Sequence, residues 1–174
     1  MISTKKTAAA VEFLLQQKMD VNARRGDGSS ALHTAALRGD VATMRLLLRL
    51  GAEIEAKSND KSSVLHFAVA AAAASSPAAG KEVVKFLLEE KHVKNADEAK
   101  DGGETVVHLA VRGGDVDFLE FLVSKDVGAN VRATREDGAT ALHVACEVPK
   151  ASEMPQYLVK KGKQVCDGLQ DCAM

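Results

Sequence analysis

The sequence predicts an all-α fold, a solenoid of antiparallel helix pairs carrying β-turn fingers. Three observations lead there. A short motif centred on histidine recurs four times at similar spacing. A Leu-rich amphipathic stretch accompanies each recurrence. The apolar content, 46% of 174 residues, is small and aliphatic, with 28 Ala but only 5 Phe, 1 Tyr and no Trp. That composition suits thin, closely packed helices better than one large core. Self-similarity at a period of roughly 20–50 residues marks a repeat architecture.

The motif is anchored by His33, His66, His108 and His143, separated by 33, 42 and 35 residues, with His92 outside the series. A hydroxyl stands three residues before each: Ser30, Ser63, Thr105 and Thr140. An alanine stands two residues after: Ala35, Ala68, Ala110 and Ala145. The hydroxyl is placed to cap a short first helix, and the alanine lets that helix pack closely. The second element ends in a Leu-rich pair: Leu14-Leu15, Leu47-Leu48, Leu87-Leu88, Leu122-Val123 and Leu158-Val159. Val41, Met44, Leu47 and Leu48 fall on one helical face, as do Val116, Leu119, Leu122 and Val123. Gly39 and Gly114 mark turns between paired helices, and Gly51 sits where a second helix ends. Eight residues after the first of each pair come Asn22, Glu55, Asn95, Asn130 and, exceptionally, Cys166.

The expected organisation is one domain over 1–174: a half repeat 1–22, repeats 23–56, 57–96 and 97–131, a degenerate repeat 132–166 and a tail 167–174. Pro149 and Pro155 bracket the inter-helix turn of the degenerate repeat, and Pro155 suits a first helical turn. Neither end supplies an obvious polar cap, so a fragment of a larger protein is expected. From His66 to Leu87 there are 21 residues, against 14 from His33 to Leu47 and 14 from His108 to Leu122. The insertion, within 70–79, should lengthen a first helix along Ala70–Ala74 and end it at Ser75-Ser76-Pro77. Counted from the Leu pairs, the two later fingers are also longer. Asn95 to Gly102 and Asn130 to Asp137 span 7, whereas Asn22 to Asp27 and Glu55 to Asp60 span 5. Longer charged fingers should reach further over one face.

Charge and composition exclude several classes. Basic and acidic residues balance, 23 against 24, so nothing drives the chain onto nucleic acid or an anionic membrane. No stretch approaches the ~20 apolar residues of a membrane-spanning helix, and no secretory leader stands at the N-terminus. Three cysteines, Cys146, Cys166 and Cys172, make no disulfide framework. A cytoplasmic setting, with the nucleus as an alternative, is expected.

Catalysis finds no support. Four histidines in register resemble a metal ladder, but stacked helix pairs set equivalent residues roughly 10 Å apart, whereas zinc binds nitrogen at ~2.0–2.1 Å. His143 and Cys146 are spaced as a Cys/His dyad, but Cys146 occupies the position of Ala36, Val69 and Val111, which predicts a small core residue. No phosphate-binding loop or dinucleotide fingerprint occurs. No cofactor, metal or small-molecule substrate is expected.

The combined pattern resembles the ankyrin repeat, whose signature is Asp-Gly-x-Thr-Pro-Leu-His-x-Ala-Ala, then a Leu-Leu helix and Gly-Ala-Asp-Val-Asn. The resemblance covers nearly the whole chain. The Pro of the signature is replaced by Ala31, Val64, Val106 and Ala141. It implies a non-catalytic module that binds another protein or peptide through turn tips and the concave face of the first helices, and a monomer is expected. Carried over by position, the contact residues are Asp27, Ser29, Asn59, Asp60, Ser62, Asp101, Glu104, Glu136 and Asp137 on the tips. On the first helices they are Leu37, Arg38, Arg112 and Glu147. Arg38 and Arg112 beside Leu37 imply an acidic or mixed partner segment. Other readings are a targeting or regulatory part of a larger enzyme, channel or effector, and a small stand-alone kinase inhibitor. Leu14 to Asn22 also resembles the Leu-(x)6-Val-Asn context of asparagine hydroxylation in this family. That implies Asn22 as a modification site, with Asn95 and Asn130 as looser matches.

Overall fold

The computed structural model describes residues 20–74, 77–89, 96–124, 126–148 and 153–167. The helix expected before Asn22, Ser75 and Ser76, Asn95, Pro149 and the tail beyond 167 lie outside them. The chain divides into two compact units, Met1–Lys94 and Asn95–Met174. The first holds α1 (Ala31–Leu37), α2 (Val41–Arg49), α3 (Val64–Ala74) and α4 (Pro77–Glu89). The second holds a 3-10 turn (Asp101–Gly103), then α5 (Val106–Gly113), α6 (Val116–Val123), α7 (Ala141–Glu147) and α8 (Met154–Asp167). The described residues contain no sheet, only the isolated bridges Arg24↔Ser30 and Thr134↔Thr140 at the feet of two fingers.

Each first helix starts on the same lock. In α1 the Ser30 N–H donates to His33 Nδ1 at 3.2 Å, and Ser30 Oγ lies 2.9 Å from that nitrogen. Ser63 with His66, Thr105 with His108 and Thr140 with His143 repeat it within 0.1 Å. Histidine stands here where Glu or Gln usually closes a capping box. The amide of the capping residue is satisfied, and the ring is turned across the helix start. Second helices start on a different cap: Asp40 accepts from the Thr43 N–H at 3.0 Å, and Asp115 from the Phe118 N–H at 2.7 Å.

In the first unit α1 packs on α3, and each pairs with its own second helix. Leu32, Ala36, Met44, Leu47, Ala68, Val84 and Leu87 fill the space between them, all buried. In the second unit α5 packs on α7 around Val107, Ala110, Val111, Phe118, Leu122, Val144 and Met154. Small residues set the approach. A Cβ on Gly80 would come within 2.3 Å of Ala72 Cβ, so α3 and α4 meet where neither carries a larger side chain.

The described residues of the third repeat's insertion are helical. α3 spans 11 residues, against 7 in α1 and 8 in α5, and α4 begins on Pro77, a residue suited to the first helical position. In the degenerate repeat Pro155 stands in the first turn of α8.

The fingers are not of two lengths. In all four, the residue eight before the histidine donates to the carbonyl four before it: Arg25 to Ser29, Ser58 to Ser62, Lys100 to Glu104 and Arg135 to Ala139, at 2.9–3.0 Å. The additional residues before the last finger lie instead at the end of a second helix. There the Ala52 N–H donates to Leu47 O, and the Ala129 N–H to Leu122 O. Each of these alanines precedes its histidine by 14 residues, but they follow their leucines by 5 and 7. The expectation of longer fingers is corrected: a spacing counted from the Leu pair absorbed a lengthened helix end.

Two predictions follow from the lock. Thr105→Ala removes a buried cap and should cost about 1–2 kcal/mol in chemical denaturation, more than Thr140→Ala at an exposed histidine. Burial pushes the His33 and His108 imidazoles below their ordinary value of 6.5, against backbone hydrogen bonding at Ser62 and Ala56 for His33 and at Ala139 for His108. The unfolded chain therefore takes up protons first as pH falls through about 6.5. The melting temperature should fall from about pH 7.5 to about pH 5.5, and His33→Gln, which keeps an acceptor but does not titrate, should flatten that fall.

Candidate partner-binding surface

The fingers are braced from inside and from the side. Asp27 accepts from the Ser29 N–H at 2.9 Å and the Ser29 hydroxyl at 2.6 Å, and these two bonds hold its carboxyl below the usual range. Asp60 accepts from the Ser58 and Ser62 hydroxyls at 2.6 and 2.9 Å. Asp137 accepts from the Ala139 N–H at 2.9 Å and lies 3.3 Å from Arg135 Nη2. These are Asx turns in which an aspartate satisfies the backbone two residues on. Successive fingers are then tied together. The Asn59 N–H donates to Asp27 O at 2.9 Å, and its side chain to Gly26 O at 3.0 Å. In the second unit the Glu136 N–H donates to Gly102 O at 3.0 Å.

The residues predicted to meet a partner therefore separate into kinds. Ser29, Ser62 and Glu104 are buried, at 2%, 5% and 7% exposure, which corrects their reading as contact residues. The two serine hydroxyls face their aspartates. Glu104 lies between Lys100 at 3.1 Å and Arg112 at 2.6 Å, a carboxylate taken inward with two cations. Asp27, Asp60, Asp137 and Asn59 are exposed but brace the fingers, and Asp101 and Glu136 are exposed on the tips. Leu37, Arg38, Arg112 and Glu147 are exposed on the first helices. Position by position, the residue four after the histidine varies between helices: Leu37, Ala70, Arg112, Glu147. The residues two and three after it are buried on α1 and α5.

Cys146 departs from expectation. It matches Ala36 and Val111 in register, yet it is exposed, as are His143 and Leu142. Ala36 and Val111 are buried where the next first helix packs on theirs, whereas α7 packs on α5 and α8 and its other side is open among the described residues. No group of three or more metal-ligating side chains occurs among the described residues. No described helix is long and apolar enough to cross a membrane.

Comparison with known proteins decides the family. The ankyrin-repeat family pattern, in its three-copy form, matches residues 1–96 and again 69–167. The chain belongs to the ankyrin repeat family. A 143-residue stretch, 80% of the chain, is 34% identical to the nuclear factor NF-kappa-B p105 subunit of Gallus gallus. The chain spans only 14% of that relative's length.

Within the ankyrin repeats, Asn22 and Asp97, each eleven before a histidine, hold backbone roughly one period further along the chain. Asn22 Oδ1 accepts from the Glu53 N–H at 2.9 Å, and Asn22 Nδ2 donates to Gly51 O at 3.2 Å. Asp97 has the same role, accepting from the Asn130 N–H at 2.5 Å. Asn130 instead corresponds to Asp20, since each accepts from the amide two residues on. Counting back from histidine, rather than forward from the Leu pair, would have found Asp97.

The ion pair changes what Arg112 reports. Arg112→Ala should leave buried Glu104 with Lys100 alone and cost about 1–2 kcal/mol in stability. Arg38→Ala, at an exposed site, should stay within about 0.5 kcal/mol of the parent. Equal melting temperatures for the two variants would refute the role given to Glu104.

Proposed function

We propose that this ankyrin domain is a non-catalytic protein-binding module that holds its partner with the finger tips and the concave face of the first helices. The observation that carries this reading is the contrast along each first helix. Each first helix opens on a hydroxyl, Ser30, Ser63, Thr105 or Thr140, and keeps Ala two after the histidine, while the position four after it takes Leu37, Ala70, Arg112 and Glu147. A rigid scaffold with chemically varied exposed sites is how a stacked repeat encodes a partner. The contact set is Leu37, Arg38, Glu136 and Glu147, with Asp101 at a tip and Arg112 contributing its exposed half. Asp27, Asn59, Asp60 and Asp137 act by holding the tips in place.

The name of the chicken relative supports a setting in the cytoplasm or nucleus, and its greater length supports a regulatory segment within a larger protein. Asn22 is carried as the hydroxylation position by its sequence context. The test is affinity capture from the native source, with bound proteins identified by mass spectrometry. Leu37→Ser and the pair Glu136→Lys/Glu147→Lys should each lose the partner recovered by the parent, with melting unchanged. Full recovery by both variants would place the binding surface elsewhere.

A further inference from the structure

The insertion in the third repeat changes the surface beside Leu37. α1 ends at Leu37, but α3, packed against it, continues a further turn past Ala70, the equivalent position, to Ala74. Ala70 and Ala73 are half-exposed along that turn. The start of α4 leans onto the α1–α2 turn. Gly39 there has φ +70°, and a Cβ on it would come within 2.7 Å of Ala79 Cβ. The lengthened helix pair is thus seated on the residues that immediately follow Leu37 and Arg38. Among the described residues the insertion is helix, packed on α1 and its turn.

Leu37, the last residue of α1, is 45% exposed. Arg38 is exposed and makes no ion pair among the described residues. Asp40, the carboxylate nearest it in sequence, is held by the Thr43 N–H and hydroxyl at 3.0 and 2.7 Å. Leu37 and Arg38 thus stand exposed at the end of α1, and the helix packed beside it carries the half-exposed Ala70 and Ala73.

We propose that Leu37, Arg38 and the extra turn of α3 form an apolar–cationic shelf, and that it takes an extended peptide segment carrying an aliphatic side chain next to a carboxylate. This rests on the protein-binding reading above and assigns the chemistry of one part of that surface. The aliphatic group covers Leu37, Ala70 and Ala73, and the carboxylate meets Arg38. Arg112 does not share the task, because Glu104 already holds it.

The test uses the full chain and three synthetic peptides in one Gly/Ser background, carrying Leu-Glu-Leu, Leu-Lys-Leu or Ser-Glu-Ser. Binding is measured by fluorescence anisotropy at low and high salt. The Leu-Glu-Leu peptide should bind best and weaken with salt. Arg38→Glu should weaken it roughly tenfold and shift the preference to Leu-Lys-Leu. Ala73→Glu, at a helix-compatible site, should weaken Leu-Glu-Leu and spare Leu-Lys-Leu, with thermal unfolding confirming that both variants fold. Equal binding of all three peptides, no binding, or indifference to either substitution would overturn the shelf. If the shelf fails while Leu37→Ser and Glu136→Lys/Glu147→Lys still abolish partner capture, the wider binding reading stands. If those variants also retain the partner, both fail.

Discussion

The structure depends on an imidazole held at the start of each first helix, kept from taking up a proton by burial in α1 and α5. A short helix leaves its first amides without intrahelical partners. Here the histidine ring accepts the amide of the residue three before it and so becomes part of the helix end. That bond leaves Nδ1 without a proton, so the neutral ring carries its hydrogen on Nε2. In α1 and α5 this second nitrogen is buried against the backbone of the following finger, close to Ala56 and Ser62 or to Ala139, without reaching full hydrogen-bond geometry. One side chain thus fixes a helix start and the neighbour stacked on it.

The fingers extend the same principle to the backbone. Asp27, Asp60 and Asp137 close three of the four turns from within, and amides of one finger reach carbonyls of another within the same unit. Rigid tips follow, although α1 and α7 have only 7 residues each and α5 and α6 only 8. The helix contacts then need little volume: Ala36, Ala68, Ala72 and Gly80 let backbones approach, and few aromatic side chains are required. Phe67 is one exception, meeting the His33 ring edge-on with centroids 4.9 Å apart. The scarcity of aromatics follows from repeated thin contacts.

Much of this was legible in the sequence because the periodic residues are the structural ones. The histidines, the hydroxyls three before them and the Leu pairs each mark a position whose environment repeats. What the sequence misplaced depended on neighbours. Cys146 reads as a core alanine from its register, but its burial is decided by what packs on the open side of α7. Ser29 and Ser62 read as tip residues, but the Asp-x-Ser spacing that hides their hydroxyls was itself visible. Glu104 was hidden for another reason: its burial depends on Lys100 and Arg112 converging on it, and Arg112 is eight residues away in another element. The finger lengths were misjudged because the count began at the Leu pair and crossed a variable helix end.

Nitrogen-15 NMR of the histidine rings tests the lock most directly. At neutral pH, His33 and His108 should appear as neutral rings protonated at Nε2, each showing coupling across the bond from the Ser30 or Thr105 amide to Nδ1. Rings protonated at Nδ1, or carrying both protons at neutral pH, would contradict the account, because Nδ1 could not then accept that amide.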